Sequence, residues 1–208
     1  SREETASLLR QKFQDASGHD VDEFHRLSSQ NPRVQALALS QDKPLSETLL
    51  QLGPNPTTVE ETIGNLLGDA IKKLKDEVGS IEKVQIDSIC AGLAALRPLI
   101  PISVLAEISG VEEEAIKSFA FDLGRPLLVS DKTIQFLDEP AETWFRQTFK
   151  PEAAAMVAFI DKLKPIASSS AYVASSLPQL MLAAGEFSEL VELALSSSAL
   201  PETTQLEA

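Results

Sequence analysis

Three short stretches of the chain carry side chains able to do chemistry. The first is His19-Asp20-Val21-Asp22-Glu23-Phe24-His25, two imidazoles and three carboxylates within seven residues, which are ligand types for a divalent metal. Its spacing departs from His-Glu-x-x-His, where histidines four apart share one helix face. Asp20 and Glu23, three apart, also match a capping box that would start a short helix over Val21–Leu27. The stretch is read as a solvated helix start, with no metal site assigned. The second is Cys90, the only cysteine, inside the apolar run Ile89-Cys90-Ala91 and far in sequence from either histidine. That setting fits a buried structural thiol rather than a nucleophile. The third is Glu112-Glu113-Glu114. Carboxylates there suit the first turn of a helix, where the dipole favours them, and they would equally suit an acidic face docking a basic partner surface. No nucleophile–base pair is visible, so no catalytic residue is assigned.

What the chain lacks is as informative. None of its nine glycines is followed by lysine, so there is no Gly-x-x-x-x-Gly-Lys-[Ser/Thr] loop to cradle phosphates. No strand ends in the paired acidic residues that would hold magnesium. The net charge of -13 is spread along the chain, and no segment is net basic, which disfavours nucleic acid and anionic membrane surfaces as partners. A lone cysteine forms no disulfide within one chain and fits a reducing, cytoplasmic compartment. No signal peptide or membrane-length apolar run is present. With 43% hydrophobic and only 5% aromatic residues, the core must be filled by Leu, Ile, Val and Ala, which suits packed helices.

The elements that would position these residues follow from periodicity and punctuation. Residues 3–14 place Leu8, Leu9 and Phe13 at helical spacing. Asn31-Pro32 starts another helix with Val34, Leu37, Ala38 and Leu39 as its apolar face, and a short helix around Leu45–Leu50 follows. Gly53-Pro54-Asn55-Pro56 is a breaker cluster, after which Thr57 and Glu60 form a capping box. A long amphipathic helix then runs from Val59 to Val78, with Gly64 and Gly68 marking a close approach of another element. Ile81–Leu96 is helical, and Arg97-Pro98 and Pro101 break it. Ile102–Ile108 and Glu112–Leu123 are two shorter helices, and Leu127–Val129 and Thr133–Phe136 are two strands. Glu139–Phe149 returns to helix. Ala153–Leu163, Ser170–Ala184 and Phe187–Leu195 read as three further helices, Gly185 capping the second.

Helix, proline turn, helix, helix and two strands is the order of a winged helix. Its third helix begins Val111-Glu112-Glu113-Glu114, whereas a DNA reader leads with Lys, Arg, Asn or Gln, because phosphates repel carboxylates. The unit is read as contacting protein.

Several stretches resemble one family. Leu27-Ser28-Ser29-Gln30-Asn31-Pro32-Arg33-Val34, followed by Ala36-Leu37-Ala38-Leu39, looks like the Gly-x-Pro region of the signal-transduction ATPases with numerous domains (STAND), the class containing NACHT and NB-ARC proteins. In that family the proline lies in a small helical subdomain after the ATPase core and packs near the adenine, which implies that role for Pro32. Ala95-Leu96-Arg97-Pro98-Leu99-Ile100-Pro101-Ile102, with Leu105 and the run to Phe136, is similar to the winged helix of bacterial members. Ile134-Gln135-Phe136-Leu137-Asp138-Glu139-Pro140 takes the place of the family's Met-His-Asp motif, whose histidine contacts ADP in the resting state. Leu137 stands where that histidine would, and the resemblance implies that Leu137 and Asp138 face the nucleotide. Leu177-Pro178 and Ala184-Gly185-Glu186-Phe187-Ser188-Glu189-Leu190 resemble the first helices of a C-terminal sensor array.

The resulting expectation is a mainly α chain: a helical subdomain at 1–52, a linker and connecting helix at 53–79, a winged helix with a two-stranded wing at 80–150, and the start of a helical array at 151–208. The resemblance implies a regulatory and interaction module, controlling nucleotide-dependent activation and oligomerisation in bacterial defence or signalling. The NTPase core would lie before Ser1 and serve as one partner, with other proteins bound through the array. ATP or ADP would belong to the parent, and no cofactor to this piece. The rival readings are a winged-helix DNA-binding transcription regulator and an acidic helical adaptor without any nucleotide role. Hinges are expected at Gly53–Pro56 and Lys150-Pro151. Leu93, Leu96, Leu105, Ile116, Phe119, Leu123, Leu128 and Phe136 should form one core, sealed by Trp144 and Phe145.

Overall fold

The structure is a computed structural model that describes residues 1–53, 59–196 and 200–201. Pro54, Asn55, Pro56 and Thr57, which carry the breaker cluster and the expected capping box, lie outside the described residues. The chain is mainly helical, with one small three-stranded antiparallel sheet. It divides into two compact units. The first comprises Ser1–Val78, Phe121–Leu127 and Leu137–Trp144, and the second Gly79–Ala120, Leu128–Phe136 and Phe145–Ala208. No helix among the described residues is long and apolar enough to cross a membrane.

In the first unit α1 (Arg2–Lys12), α2 (Gly18–Leu27), α3 (Pro32–Ser40), α4 (Leu45–Leu52) and α5 (Val59–Asp76) follow one another. Local capping chemistry sets most of their starts. The Ser1 hydroxyl accepts from Glu4 N while the Glu4 side chain reaches back to the chain's first nitrogen. Asn31 accepts from Arg33 N and Val34 N, and Pro32 fills the first helical position, where a missing N–H costs nothing. The start of α2 differs from the sequence expectation. Ser17, not Asp20, is the cap, and Asp20 is the third residue of the box, its carboxylate accepting from Ser17 N at 2.8 Å. Those bonds, first from the Ser17 hydroxyl and then from its backbone, hold the Asp20 carboxyl below its ordinary range.

The core of this unit has a polar centre. Leu9, Val21, Phe24, Leu27, Val34 and Ala38 are buried, and among them lie Thr5, Ser28 and Gln35. The Gln35 amide donates to Thr5 Oγ1 and to Ser28 Oγ, both at 3.0 Å, and Thr5 Oγ1 lies 2.8 Å from His25 Nδ1. Thr5, Ser28 and Gln35 therefore satisfy one another, which removes the penalty for burying them and fixes the register of three helices. Trp144 also belongs to this unit. A Cβ built on Gly64 of α5 would lie 2.6 Å from Trp144 Cδ1, so the glycine makes room for an indole.

The second unit contains α6 (Ser80–Ala95), β1 (Ile100–Pro101), α7 (Ile102–Ser109), most of α8 (Glu113–Leu123), all but the first residue of β2 (Leu127–Val129), and β3 (Thr133–Phe136). After α9 (Glu139–Thr148) come α10 (Ala153–Leu163), a single 3₁₀ turn at Lys164–Ile166, α11 (Ala171–Ala184) and α12 (Phe187–Leu195). The sheet has three strands in the order β1-β3-β2, where the sequence suggested two. Ile100 pairs with Ile134 and Pro101 with Thr133. Prolines at 98 and 101 read as breakers, yet an edge strand tolerates a residue without an N–H, and β1 is an edge. Leu99 precedes it at φ 61, a backbone region unusual for a leucine.

Three core expectations need correction, the first being Leu123, which is buried but belongs to the first unit and not to the core of the second. Leu128 is 48% exposed and Leu127 is the buried residue of β2, because a strand has period two and an apolar triplet does not say which member points inward. Trp144 packs on Gly64 in the first unit rather than sealing the edge of the second. Phe145 is fully buried, its ring 5.0 Å from that of Phe136 and 5.3 Å from that of Phe149. Leu93, Leu96, Leu105, Ile116 and Phe119 are buried as expected.

Cations close several helix C-termini, where backbone carbonyls lack intrahelical partners. Arg146 donates to Ala94 O at 3.0 Å and Leu96 O at 2.8 Å, ending α6. Lys162 donates to Ile108 O at 2.9 Å, ending α7 beside left-handed Gly110. The Tyr172 hydroxyl donates to Arg97 O at 2.6 Å, and burial raises its pKa far above the usual phenol range, so this donor stays protonated at ordinary pH. Tyr172→Phe should cost about 1 kcal/mol in a chemical denaturation experiment, the usual net worth of one hydrogen bond. No measurable loss would mean that water takes over the Arg97 carbonyl.

Candidate ligand-facing pocket

One pocket of the first unit draws together segments far apart in the sequence. Its volume is about 110 Å³. Arg33, Ala36 and Leu37 enter from the first turns of α3, three and four residues apart and therefore on one helix face. Ile63 comes from α5, Arg125 and Pro126 from the loop before β2, and Leu137, Asp138 and Ala141 from the start of α9. The last two segments are tied by Leu137 N donating to Pro126 O at 2.9 Å. Asp138 caps α9, its Oδ1 accepting from Ala141 N at 3.0 Å, so its carboxylate is already engaged.

The residues singled out from the sequence are placed as follows. Leu137 is exposed and Asp138 half-buried, both on the pocket wall. Pro32 is exposed at the start of α3 and is not part of the lining, which its neighbour Arg33 joins instead. Glu112, Glu113 and Glu114 are exposed in the second unit, where Glu114 pairs with Lys117 at 2.8 Å and its hydrogen bond raises the Lys117 pKa. His19 is exposed and His25 is turned to Thr5, while Asp22 pairs with Arg2. Among the described residues no three His, Cys, Asp or Glu side chains converge on a point where a metal could sit. Cys90 is fully buried.

Sequence reasoning missed Arg33 and Arg125. The chain has seven arginines. Arg2 pairs with Asp22, Arg10 donates to Ala16 O, Arg97 donates to Ser175 O, Arg146 caps α6, and Arg26 also has a partner. Arg33 and Arg125 have none among the described residues, and both line this pocket. Two wider concavities lack such a feature. One of about 370 Å³ in the first unit mixes Asp42, Lys43, Lys73, Glu77 and Asp122. Another of about 470 Å³ in the second is walled by Ile81, Val84 and uncharged polar residues.

Comparison of the chain with protein-family models and with curated protein sequences finds no match.

Proposed function

We propose that the chain is a regulatory and interaction module of a STAND-type ATPase. It would clamp against a nucleotide-bound core at rest and rotate away on activation, freeing oligomerisation surfaces. One observation carries this reading. The two segments that the family resemblance puts at the nucleotide, Asn31–Leu39 and Ile134–Pro140, meet in one pocket through Arg33, Leu37, Leu137 and Asp138. At about 110 Å³ the pocket is smaller than the roughly 300–1,000 Å³ of complete small-molecule sites, which favours one wall of a site finished by another protein.

The order α6-β1-α7-α8-β2-β3 with sheet order β1-β3-β2 supports a winged helix in the second unit. The outer face of α8 offers Glu113, Glu114, Ser118 and an 84%-exposed Phe121, a combination suited to a protein surface and not to phosphates. On α12, Phe187, Val191 and Leu195 are exposed at i, i+4 and i+8, an apolar stripe in keeping with further protein contacts through a helical array.

The test is hydrogen exchange on the longest natural polypeptide that carries this chain, with ADP and with a non-hydrolysable ATP analogue. Residues 31–39 and 125–141 should exchange differently in the two states, and identical exchange there would overturn the reading. The chain alone should show no tight ATP or ADP binding by calorimetry; submicromolar affinity would mean that it carries a complete nucleotide site. A gel shift with duplex DNA at physiological salt should be blank, and salt-dependent retardation would favour the transcription-regulator alternative.

A further inference from the structure

We propose that the pocket between α3 and the start of α9 binds a small organic anion, its charged head on Arg33 and Arg125 and a single apolar ring on Leu37, Ile63 and Leu137. The inference rests on the preceding one only in treating this pocket as ligand-facing; the class of ligand comes from the pocket itself.

Charge is the first argument. Among the described residues of a chain of net charge -13, the two arginines whose side chains have no carboxylate or carbonyl partner are both exposed, and both line this pocket. Guanidinium forks match carboxylate and phosphate oxygens two at a time, which gives orientation as well as attraction. The backbone of α3 does not compete for the anion, because Arg33 N and Val34 N are taken by Asn31 and Pro32 has no N–H. Asp138, the one carboxylate on the wall, is held by Ala141 N, and neither arginine pairs with it.

The floor is the second argument. Side chains from Ala36 to Ala141 that complete the lining are aliphatic or proline and offer no donor or acceptor to read the polar edge of a base. A volume of about 110 Å³ is near the ~150 Å³ of a cavity known to take benzene, so the chain by itself accommodates one six-membered ring, and a whole nucleoside would need the further wall that another protein supplies. Aryl phosphates and aryl carboxylates share this chemistry.

Calorimetry of the 208-residue chain with phenyl phosphate, benzoate, inorganic phosphate and ADP tests the assignment. Phenyl phosphate should bind about tenfold more tightly than inorganic phosphate, the gain expected from removing one ring face from water. Benzoate separates the head groups: whichever of benzoate and phenyl phosphate binds tighter identifies the source. Arg33→Gln and Arg125→Gln should each weaken binding by about tenfold or more, since each removes a charge-assisted contact from an exposed side chain that the fold does not use. Lys132→Gln, a charge change outside the pocket, should leave affinity unchanged.

Equal affinity for phenyl phosphate and inorganic phosphate, or binding that survives both arginine substitutions, would overturn the proposal. So would saturation by none of the four anions, ADP held about tenfold tighter than phenyl phosphate, or a phosphotyrosine peptide preferred to both by that margin. Loss of anion binding with nucleotide-dependent exchange intact would remove this site and leave the regulatory module standing. The opposite result would do the reverse.

Discussion

Replacing Phe145 with alanine should lower the stability of the second unit by about 3–5 kcal/mol, the range for truncating a fully buried aromatic ring. The ring is 0% exposed and lies against Phe136 and Phe149, so its removal loses both transfer free energy and ring–ring contact and leaves a cavity among neighbours that cannot all collapse. Phe119→Ala should fall in the same range, because that ring is 5% exposed on the inner face of α8. Phe121, two positions on, is 84% exposed, and Phe121→Ala should change stability by no more than about 0.5 kcal/mol. Urea unfolding of the three variants reads the orientation of α8 directly. A Phe121→Ala variant that loses more than Phe119→Ala would mean that the helix is turned by about half a revolution, and the face assigned to partner contact would then be core.

Legibility in the sequence followed the range of the interactions involved. Asn31-Pro32, Ser170 and Gly185 mark helix ends through bonds a few residues long, and the helices begin or stop at them. Even locally, two candidates compete: Ser17 with Asp20 and Asp20 with Glu23 both satisfy the capping pattern, and the structure forms the first. Strand register in Leu127-Leu128-Val129 was ambiguous because all three residues are apolar. The place of Trp144 is not legible in the sequence, because its partner, Gly64, is remote and a glycine advertises nothing about what fills its missing side chain. The pocket was half legible. Leu137 and Asp138 stood out by motif, whereas Arg33 and Arg125 are conspicuous only after Arg146 has found Ala94 O and Arg97 has found Ser175 O. Lys150-Pro151 shows the same limit. A proline junction reads equally as hinge or stiffener, and Pro151 is buried within the second unit, where α10 packs on α7 and α11.

Gly64 and Gly68 give the other large expected effect, and they should respond to the same substitution with opposite signs. Both lie inside α5, where alanine in place of glycine ordinarily adds about 1 kcal/mol of helix stability. At Gly68 the new Cβ would sit 3.7 Å from Trp144 Cζ2, an ordinary contact, so Gly68→Ala should stabilise by close to that amount. At Gly64 it would sit 2.6 Å from Cδ1 and 2.7 Å from Nε1 of the same indole. A planar ring cannot yield by rotating one terminal atom, as the Leu105 methyl near Gly92 can, so either the ring or α5 must move. Overpacking of this kind costs about 1–3 kcal/mol and should outweigh the propensity gain, leaving Gly64→Ala net destabilising. Thermal melts of both single variants, and of Gly64→Ala combined with Trp144→Leu, separate the causes. In the double variant the clash is gone, and Gly64→Ala measured on the Trp144→Leu background should turn neutral or stabilising. Destabilisation of equal size on both backgrounds would show that the indole does not rest on Gly64, and the packing of α9 against α5 in the first unit would have to be redrawn.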